Sequence, residues 1–74
     1  MNDWKEAALS HAKVEDPKEC CGLLLNIKGK ERYYPCRNLS MTKYQCFIID
    51  PEDYVKADNT GEITAVVHSH PVTP

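Results

Sequence analysis

The longest uncharged apolar stretch of this chain covers only residues 20–25, with the sequence Cys-Cys-Gly-Leu-Leu-Leu. Six residues are typical of a β-strand and far fewer than the roughly 18 apolar residues of a membrane-spanning helix. The chain has 74 residues, 42% of them hydrophobic. This can form one core, although domains of this size are near the lower limit of independent stability. The sequence therefore predicts one small soluble domain containing an apolar strand.

The charge pattern excludes several classes of partner. The formal net charge is −2, and the Lys and Arg residues are dispersed along the chain. Nucleic-acid-binding domains usually carry a clustered basic surface, so we expect no nucleic-acid partner. There is no charged segment followed by an apolar leader, so we expect no signal peptide and no membrane association. A cytoplasmic location follows from these expectations.

Local patterns predict the element order α-β-β-β-α-β. Asp3 and Glu6 have the spacing of a capping box, and Asp50 before Pro51 is typical of a helix start. Lys28-Gly29-Lys30 predicts a short hairpin turn. We expect helices at residues 4–14 and 51–58, and strands at residues 19–27, 31–36, 44–49 and 63–67. This order predicts one layered α/β domain with a small mixed sheet.

Two histidines follow the last predicted strand, in the order His68-Ser69-His70-Pro71. Residues two apart on an extended strand point to the same side, with Cβ atoms about 7 Å apart. Two imidazoles at this spacing can bind one Zn²⁺ with Zn–N distances of about 2.1 Å. Pro71 favours an extended His70 and marks the end of the strand. The spacing predicts His68 and His70 as metal ligands, with a solvent-facing pair as the alternative.

A glutamate stands at the entrance to the apolar strand. Glu19 shares the parity of Cys21, Leu23 and Leu25, so on a regular strand it lies on their face. A carboxylate entering a sheet is costly unless it is paired, hydrogen-bonded or close to a metal. An exposed Glu at the first residue of a strand is the ordinary alternative. A glutamate and a two-histidine pair on two strands of one sheet are the minimum set for metal-assisted hydrolysis.

These motifs together resemble those of the JAMM (MPN-plus, Mov34/PAD-like) metallopeptidase family. The resemblance depends on Glu19 with Cys-Gly-Leu-Leu at residues 21–24, and on His-Ser-His-Pro at residues 68–71. The chain is also similar to the N-terminal domain of lambda-type phage tail assembly proteins. Residues 32–38, 51–54 and 61–63 are similar to the intervening segments of that domain. The resemblance extends over essentially the whole chain.

The resemblance implies a fold, an activity and partners. The fold would be the cytidine-deaminase-like JAMM fold, a three-layer-like α/β domain. The activity would be that of a zinc-dependent peptidase or isopeptidase, with Zn²⁺ on His68 and His70 and Glu19 as the general acid–base. Peptide or isopeptide substrates and phage tail proteins are the implied partners. The implied location is the host cytoplasm or the virion tail, often with a cell-wall hydrolase domain downstream.

The family motif continues past His-x-His-Pro with a serine and, three residues later, a metal-binding aspartate. The given chain ends at Pro74. We therefore expect residues 1–74 to be the N-terminal portion of one JAMM-like domain, incomplete at its C-terminus. The third ligand is expected beyond Pro74, and the isolated chain should be inactive as a peptidase. A catalytically silent scaffold or assembly module of the same fold is the alternative.

The four cysteines lack the spacing of a zinc knuckle. Cys20 and Cys21 are adjacent, while Cys36 and Cys46 stand apart. Neighbours on a strand point to opposite faces, so the adjacent pair is poorly placed to share one metal. We expect buried apolar thiols, since free cysteine is among the most buried residue types. A four-cysteine zinc site and a nucleophilic cysteine acting with His68 or His70 remain open alternatives.

Several other residues have structural interpretations. We expect Trp4 to anchor the first helix in the core and His11 to be a partly exposed helix residue. Ser69 has the opposite parity to the histidines and should face away from a metal. Asp50 and Asp53 are explained by helix capping.

Overall fold

The computed structural model describes residues 3–41 and 46–69 of the chain. The described elements occur in the order α1 (Trp4–Glu15), β1 (Cys21–Ile27), β2 (Lys30–Cys36), α2 (Pro51–Thr60) and β3 (Glu62–His68). The three strands form one sheet, in which α1 packs mainly against β2 and α2 contacts all three strands. The result is a small α/β domain with a helix on each face of the sheet.

The apolar run that dominates the sequence becomes the central strand of this sheet. The strand order is β2-β1-β3, and β1 pairs antiparallel with both neighbours. Residues of β1 are buried on both faces as far as Leu25, as expected for a central strand covered on both sides. Cys21 pairs with Cys36 on one side and with His68 on the other. The start of β1 therefore lies beside the end of β3.

The described sheet is antiparallel throughout, whereas we expected mixed pairing. Both β2 and β3 run antiparallel to β1, so they run parallel to each other. Helix α2 connects them as in a β-α-β crossover, which is the parallel connection that the element order predicts. Because β1 lies between β2 and β3, no hydrogen-bonded parallel pair forms among the described strands.

The strand predicted at residues 44–49 is wrong where the structure describes it. Residues 44 and 45 lie outside the described part of the chain. Residues 46–49 contain an isolated bridge between Ile49 and Asn38 in place of a ladder. The main chain here bonds to the loop after β2: Leu39 donates to the Ile48 carbonyl, and Asp50 donates to that of Arg37. Residues 46–49 thus have an apolar pattern typical of a strand but pair with the loop after β2.

The core lies between the sheet and α2. Its buried members are Cys21, Leu23, Leu25, Cys36 and Ala57, with partly buried side chains such as Phe47 and Ile49 around them. The predicted core position of Trp4 is wrong, because α1 has no buried residue and Trp4 is only partly buried. The reason is that α1 covers mainly β2 and leaves the side of the sheet that carries β3 open.

Capping residues define both helices, as the sequence predicts. The Asp3 side chain accepts from the Glu6 N–H, and the Asp50 side chain accepts from the Glu52 N–H. The second helix extends two residues further than expected, since its C-terminal carbonyl at Ala57 is satisfied by the Gly61 N–H. Neither helix in the described residues is long and apolar enough to cross a membrane.

A two-residue loop joins β1 and β2 as a tight hairpin. Lys28 and Gly29 have φ values of 52° and 84°. Positive φ at both loop residues is typical of a type I′ turn, which matches the twist of the paired strands. The hairpin predicted at Lys28-Gly29-Lys30 is therefore confirmed.

Candidate active site

A buried carboxylate and an imidazole meet where β1 begins and β3 ends. Glu19 precedes β1 by two residues, and His68 is the last residue of β3. The Glu19 Oε1 and His68 Nδ1 atoms are 3.3 Å apart, and the Glu19 side chain is only 4% exposed. A nearby imidazole offsets the cost of withdrawing a carboxylate from water, most strongly when the ring is protonated. The structure thus brings together two of the three predicted site residues.

Two hydrogen bonds between Cys20 and Ser69 hold Glu19 and His68 at this distance. The Ser69 N–H donates to the Cys20 carbonyl over 3.0 Å, and the Cys20 N–H donates to Ser69 Oγ over 2.9 Å. These two bonds connect the residue after Glu19 to the residue after His68. Ser69 therefore serves the main chain with its hydroxyl, in agreement with the prediction that it does not face the site.

An aromatic ring also contacts the His68 imidazole. The Phe47 and His68 rings are stacked, with centroids 4.6 Å apart and an angle of 24° between their planes. Phe47 also packs against the core cluster, so it has a fixed support. The imidazole therefore contacts both the Glu19 carboxylate and a ring that is itself packed on the core.

Asn38 is a residue of this site that sequence reasoning missed. Its side-chain amide donates to the main-chain carbonyl of Glu19 over 2.9 Å and to that of Cys46 over 3.1 Å. Its side-chain oxygen accepts from the N–H groups of Ser40 and Ile48, over 3.0 and 2.9 Å. The sequence signal was only an asparagine in a polar connection, which is typical of ordinary turns.

An ion-paired cluster of Arg37, Asp50 and Asp53 fixes the main chain next to Asn38. The Arg37 guanidinium bonds both oxygens of Asp53 and lies 3.0 Å from Asp50 Oδ2, while the Arg37 N–H also donates to Asp53. The hydrogen bonds from Arg37 lower the pKa of Asp53, and the same bonds raise the pKa of Arg37. Asp50 caps α2 as predicted, while Asp53 has an additional role in connecting α2 to the end of β2.

A mainly apolar groove of about 380 Å³ lies beside His68, between α1 and the sheet. Its lining residues are Trp4, Lys5, Ala8, Leu9, Ala12, Cys20, Tyr33, Val67, His68 and Ser69. The hydroxyl of Tyr33, one of these residues, lies 2.7 Å from His11 Nδ1. His68 thus belongs both to the contact with Glu19 and to the wall of an apolar groove.

The cysteines are structural where they are buried. Cys20, Cys21 and Cys36 are buried, Cys46 is exposed, and all four are free thiols. Burial raises the pKa of Cys21 to about 12 and that of Cys36 to about 11. Thiols with such pKa values stay protonated at neutral pH, which disfavours both metal ligation and nucleophilic attack. Buried apolar thiols are confirmed for three of the four residues.

The second predicted metal ligand, His70, lies outside the described residues. The His68 imidazole and the Glu19 carboxylate beside it are donor types that Zn²⁺ binds. Within residues 3–41 and 46–69, no three His, Cys, Asp or Glu side chains form a group that could hold a metal ion. The ligand roles of His68 and His70 therefore stay predictions.

Comparison with known proteins identifies a matching family and a relative. The family described as prokaryotic homologs of the JAB domain matches residues 1–74. The tail tip assembly protein K of Escherichia phage N15 is 47% identical over 66 residues, which is 89% of this chain and 27% of that protein. The chain therefore spans about a quarter of the length of this relative. No solved structure matches the chain.

The family match agrees with both the motifs and the fold. It confirms the resemblance of this chain to JAB (MPN) domains of phage tail assembly proteins. The small α/β architecture, with a helix on each face of its sheet, is consistent with a JAB-like fold. Since the family model covers every residue, this chain belongs to the prokaryotic JAB-domain family.

Proposed function

We propose that this chain contributes Glu19 and His68 to the active site of a zinc-dependent peptidase or isopeptidase. The observation that carries the proposal is the buried Glu19 carboxylate 3.3 Å from the His68 imidazole. Removing a carboxylate from water is costly, so a buried Glu19 beside an imidazole at the end of a strand favours a functional role. Family membership supports a hydrolase of this kind.

His68 and His70 are the proposed metal ligands. Their i, i+2 spacing directs both side chains to one side of an extended chain. The His68 ring contacts the Glu19 carboxylate and stacks on Phe47. Histidines that bind metals usually have such partners, which fix the ring and its tautomer. The remaining ligand is proposed to come from residues that follow this segment.

Glu19 is the proposed general acid–base. A bound zinc ion would polarise the scissile carbonyl and lower the pKa of a water molecule to about 7. Glu19 would take a proton from the attacking water and deliver it to the leaving amine nitrogen. Its burial keeps bulk water from competing for this proton. The reaction class is therefore the hydrolysis of an amide or isopeptide bond.

The proposed setting is phage tail assembly. The relative that matches this chain carries the name of a tail tip assembly protein. We propose that the protein containing this chain acts on, or together with, phage tail proteins, in the host cytoplasm or on the virion. The apolar groove beside His68 suits an apolar segment of such a polypeptide.

A catalytically silent assembly module is the second candidate. The name of the phage N15 relative refers to assembly rather than to hydrolysis, which favours this candidate. In that case the Glu19–His68 contact would serve stability alone. The two candidates differ in one observable, which is stoichiometric zinc that supports cleavage.

The test uses the full-length protein that contains this chain. Zinc content is measured by mass spectrometry after exhaustive dialysis, and cleavage is measured on a fluorogenic isopeptide substrate. The His68→Ala variant should lose both zinc and cleavage, whereas His11→Ala and serine variants of the cysteines should retain both. A wild-type protein with neither zinc nor turnover would favour the assembly module. Zinc retained by His68→Ala and lost with the cysteines would contradict the ligand assignment.

A further inference from the structure

The four hydrogen bonds of Asn38 use the complete capacity of its side chain. A carboxamide has two N–H donors and one oxygen with two lone pairs. Here both donors meet main-chain carbonyls, of Glu19 and Cys46, and the oxygen meets main-chain N–H groups, of Ser40 and Ile48. The reversed amide orientation would set its oxygen against two carbonyls, so these partners fix one orientation.

Two of these bonds bracket the ring that covers His68. Cys46 and Ile48 are the residues immediately before and after Phe47. Because Asn38 holds the carbonyl of the first and the N–H of the second, the main chain on both sides of Phe47 is fixed. The Phe47 ring then stacks on the His68 imidazole.

A third bond of the same side chain reaches the other partner of His68. Asn38 Nδ2 lies 2.9 Å from the main-chain oxygen of Glu19, the residue whose carboxylate contacts the imidazole. One amide group therefore connects both elements that contact the His68 ring. The sequence separations are 19 residues to Glu19 and eight to Cys46, so this connection is tertiary.

We propose that Asn38 is a positioning residue for His68. It acts through Phe47 and through the main chain of Glu19 to set the direction of the imidazole. This inference rests on the proposed function, since it concerns the same Glu19–His68 pair, and it deepens that function by naming what orients the pair. Residues such as Gln and Asp cannot replace Asn38, because Gln is longer by a methylene and Asp lacks the two donors.

The experiment reads the orientation of His68 directly, without metal or substrate. The isotopically labelled chain is studied by NMR at neutral pH, and the ring signals of His68 are recorded together with the methyl signals of Leu23 and Leu25. A stacked phenyl ring displaces the signals of the imidazole that it covers, so Phe47→Ala defines the displacement caused by loss of the stack. Asn38→Ala and the double variant are then compared with Phe47→Ala.

Asn38→Ala should displace the His68 signals in the same direction as Phe47→Ala, and by at least half as much. The double variant should be displaced by less than the sum of the two single variants, because both changes act in part through the Phe47 contact. The matched control is Asn26→Ala, which removes an asparagine at the opposite end of β1 and should leave the His68 signals in place. The Leu23 and Leu25 methyl signals should remain dispersed in every variant.

Two results would overturn the proposal. They are unchanged His68 signals in Asn38→Ala and displacements that add fully in the double variant. If Asn38→Ala does not fold, as collapse of the leucine methyl signals would show, Asn38→Asp decides, since it retains the acceptor oxygen for Ser40 and Ile48. It should release the Glu19 carbonyl and displace the His68 signals, and no displacement would contradict the proposal.

This readout separates the inference from the proposed activity. If the predicted His68 displacements occur without zinc-dependent cleavage, the proposed peptidase activity is wrong and the positioning role of Asn38 is supported. A protein that cleaves in a zinc-dependent manner, with His68 signals insensitive to Asn38, would retain the peptidase and disprove the positioning role.

Discussion

Two asparagines near opposite ends of β1 show how differently the ends of one strand are built. Asn26, near the hairpin, accepts one hydrogen bond from the N–H of Gly29, three residues later. Asn38, beside the start of β1, makes four bonds to residues between two and 19 positions away. The first side chain completes a local turn, whereas the second joins three separate segments of the chain.

The two ends of β1 differ in what each needs to be stable. The hairpin end needs only its turn residues, because Lys28 and Gly29 adopt the required positive φ angles. The other end holds a buried carboxylate, which is stable only if surrounding groups satisfy it and its main chain. The long-range bonds of Asn38 therefore occur at the end where the chemistry is proposed.

The largest expected effect concerns the chemistry at the site end. Glu19→Gln preserves size and removes the acid–base group, so turnover of the full-length protein should fall by about 10²–10⁴-fold. Zinc content should not change. Glu31→Gln is the matched control, because Glu31 is exposed and pairs with Asn26 near the hairpin. Unchanged turnover would contradict the role of Glu19, and loss of zinc would indicate that Glu19 orients His68 instead.

The second prediction compares two glycines, one toward each end of β1. A Cβ at Gly22 would lie 2.5 Å from the Tyr33 ring, which the contact with His11 holds in place. Overpacking of this kind typically costs about 1–3 kcal/mol of unfolding free energy. A Cβ at Gly29 would meet no atom, but φ is 84° there, so Gly29→Ala should cost about 1–2 kcal/mol through backbone strain.

Urea denaturation measures both costs, and a double variant separates their causes. Tyr33→Leu should reduce the cost of Gly22→Ala by about 0.5 kcal/mol or more, since the two side chains then no longer compete for space. It should leave the cost of Gly29→Ala unchanged. Additive costs for Gly22→Ala and Tyr33→Leu would show that Tyr33 is not the obstacle.

The same contrast explains what the sequence could predict. The turn at Lys28-Gly29, the helix caps at Asp3 and Asp50, and the strand at residues 20–25 all depend on neighbouring residues. Parity and the element order also pointed to Glu19 and His68 on two strands of one sheet. These features were predictable because short-range geometry determines them.

What the sequence did not reveal depends on distant partners. The role of Asn38 requires main-chain groups up to 19 residues away, which no local pattern specifies. Residues 46–49 resemble a strand, but their bonding partner is the loop after β2. The mixed sheet was expected from the crossover, but β1 separates the two parallel strands. In each case tertiary arrangement overrides a correct local preference.

The third prediction measures stability at the two asparagines. Asn38→Ala removes four hydrogen bonds, two of them partly buried and two exposed, and should cost about 2–3 kcal/mol of unfolding free energy. Asn26→Ala removes one exposed bond and should cost about 0.5–1 kcal/mol. Urea denaturation of the isolated chain measures both values. Equal costs would contradict the claim that the site end depends more on side-chain bonds than the hairpin end.

The smallest effect is the pH dependence of the Arg37–Asp53 pair, which anchors α2 beside Asn38. Hydrogen bonds from Arg37 lower the pKa of Asp53 in the folded chain, while the unfolded value is about 3.9. Folding therefore favours the charged carboxylate of Asp53. The contribution of this carboxylate to the unfolding free energy is complete above pH ~4 and is lost as pH falls through the lowered folded pKa.

Asp53→Asn removes this contribution. The unfolding free energies of wild type and variant should differ most at neutral pH and converge in acid, and added salt should also reduce the difference because Arg37 is 62% exposed. Asp58→Asn, at an exposed position of the same helix, should show no such convergence. A difference that grows as pH falls would show that Asp53 is stabilised in its protonated form, opposite to the direction that the Arg37 contacts require.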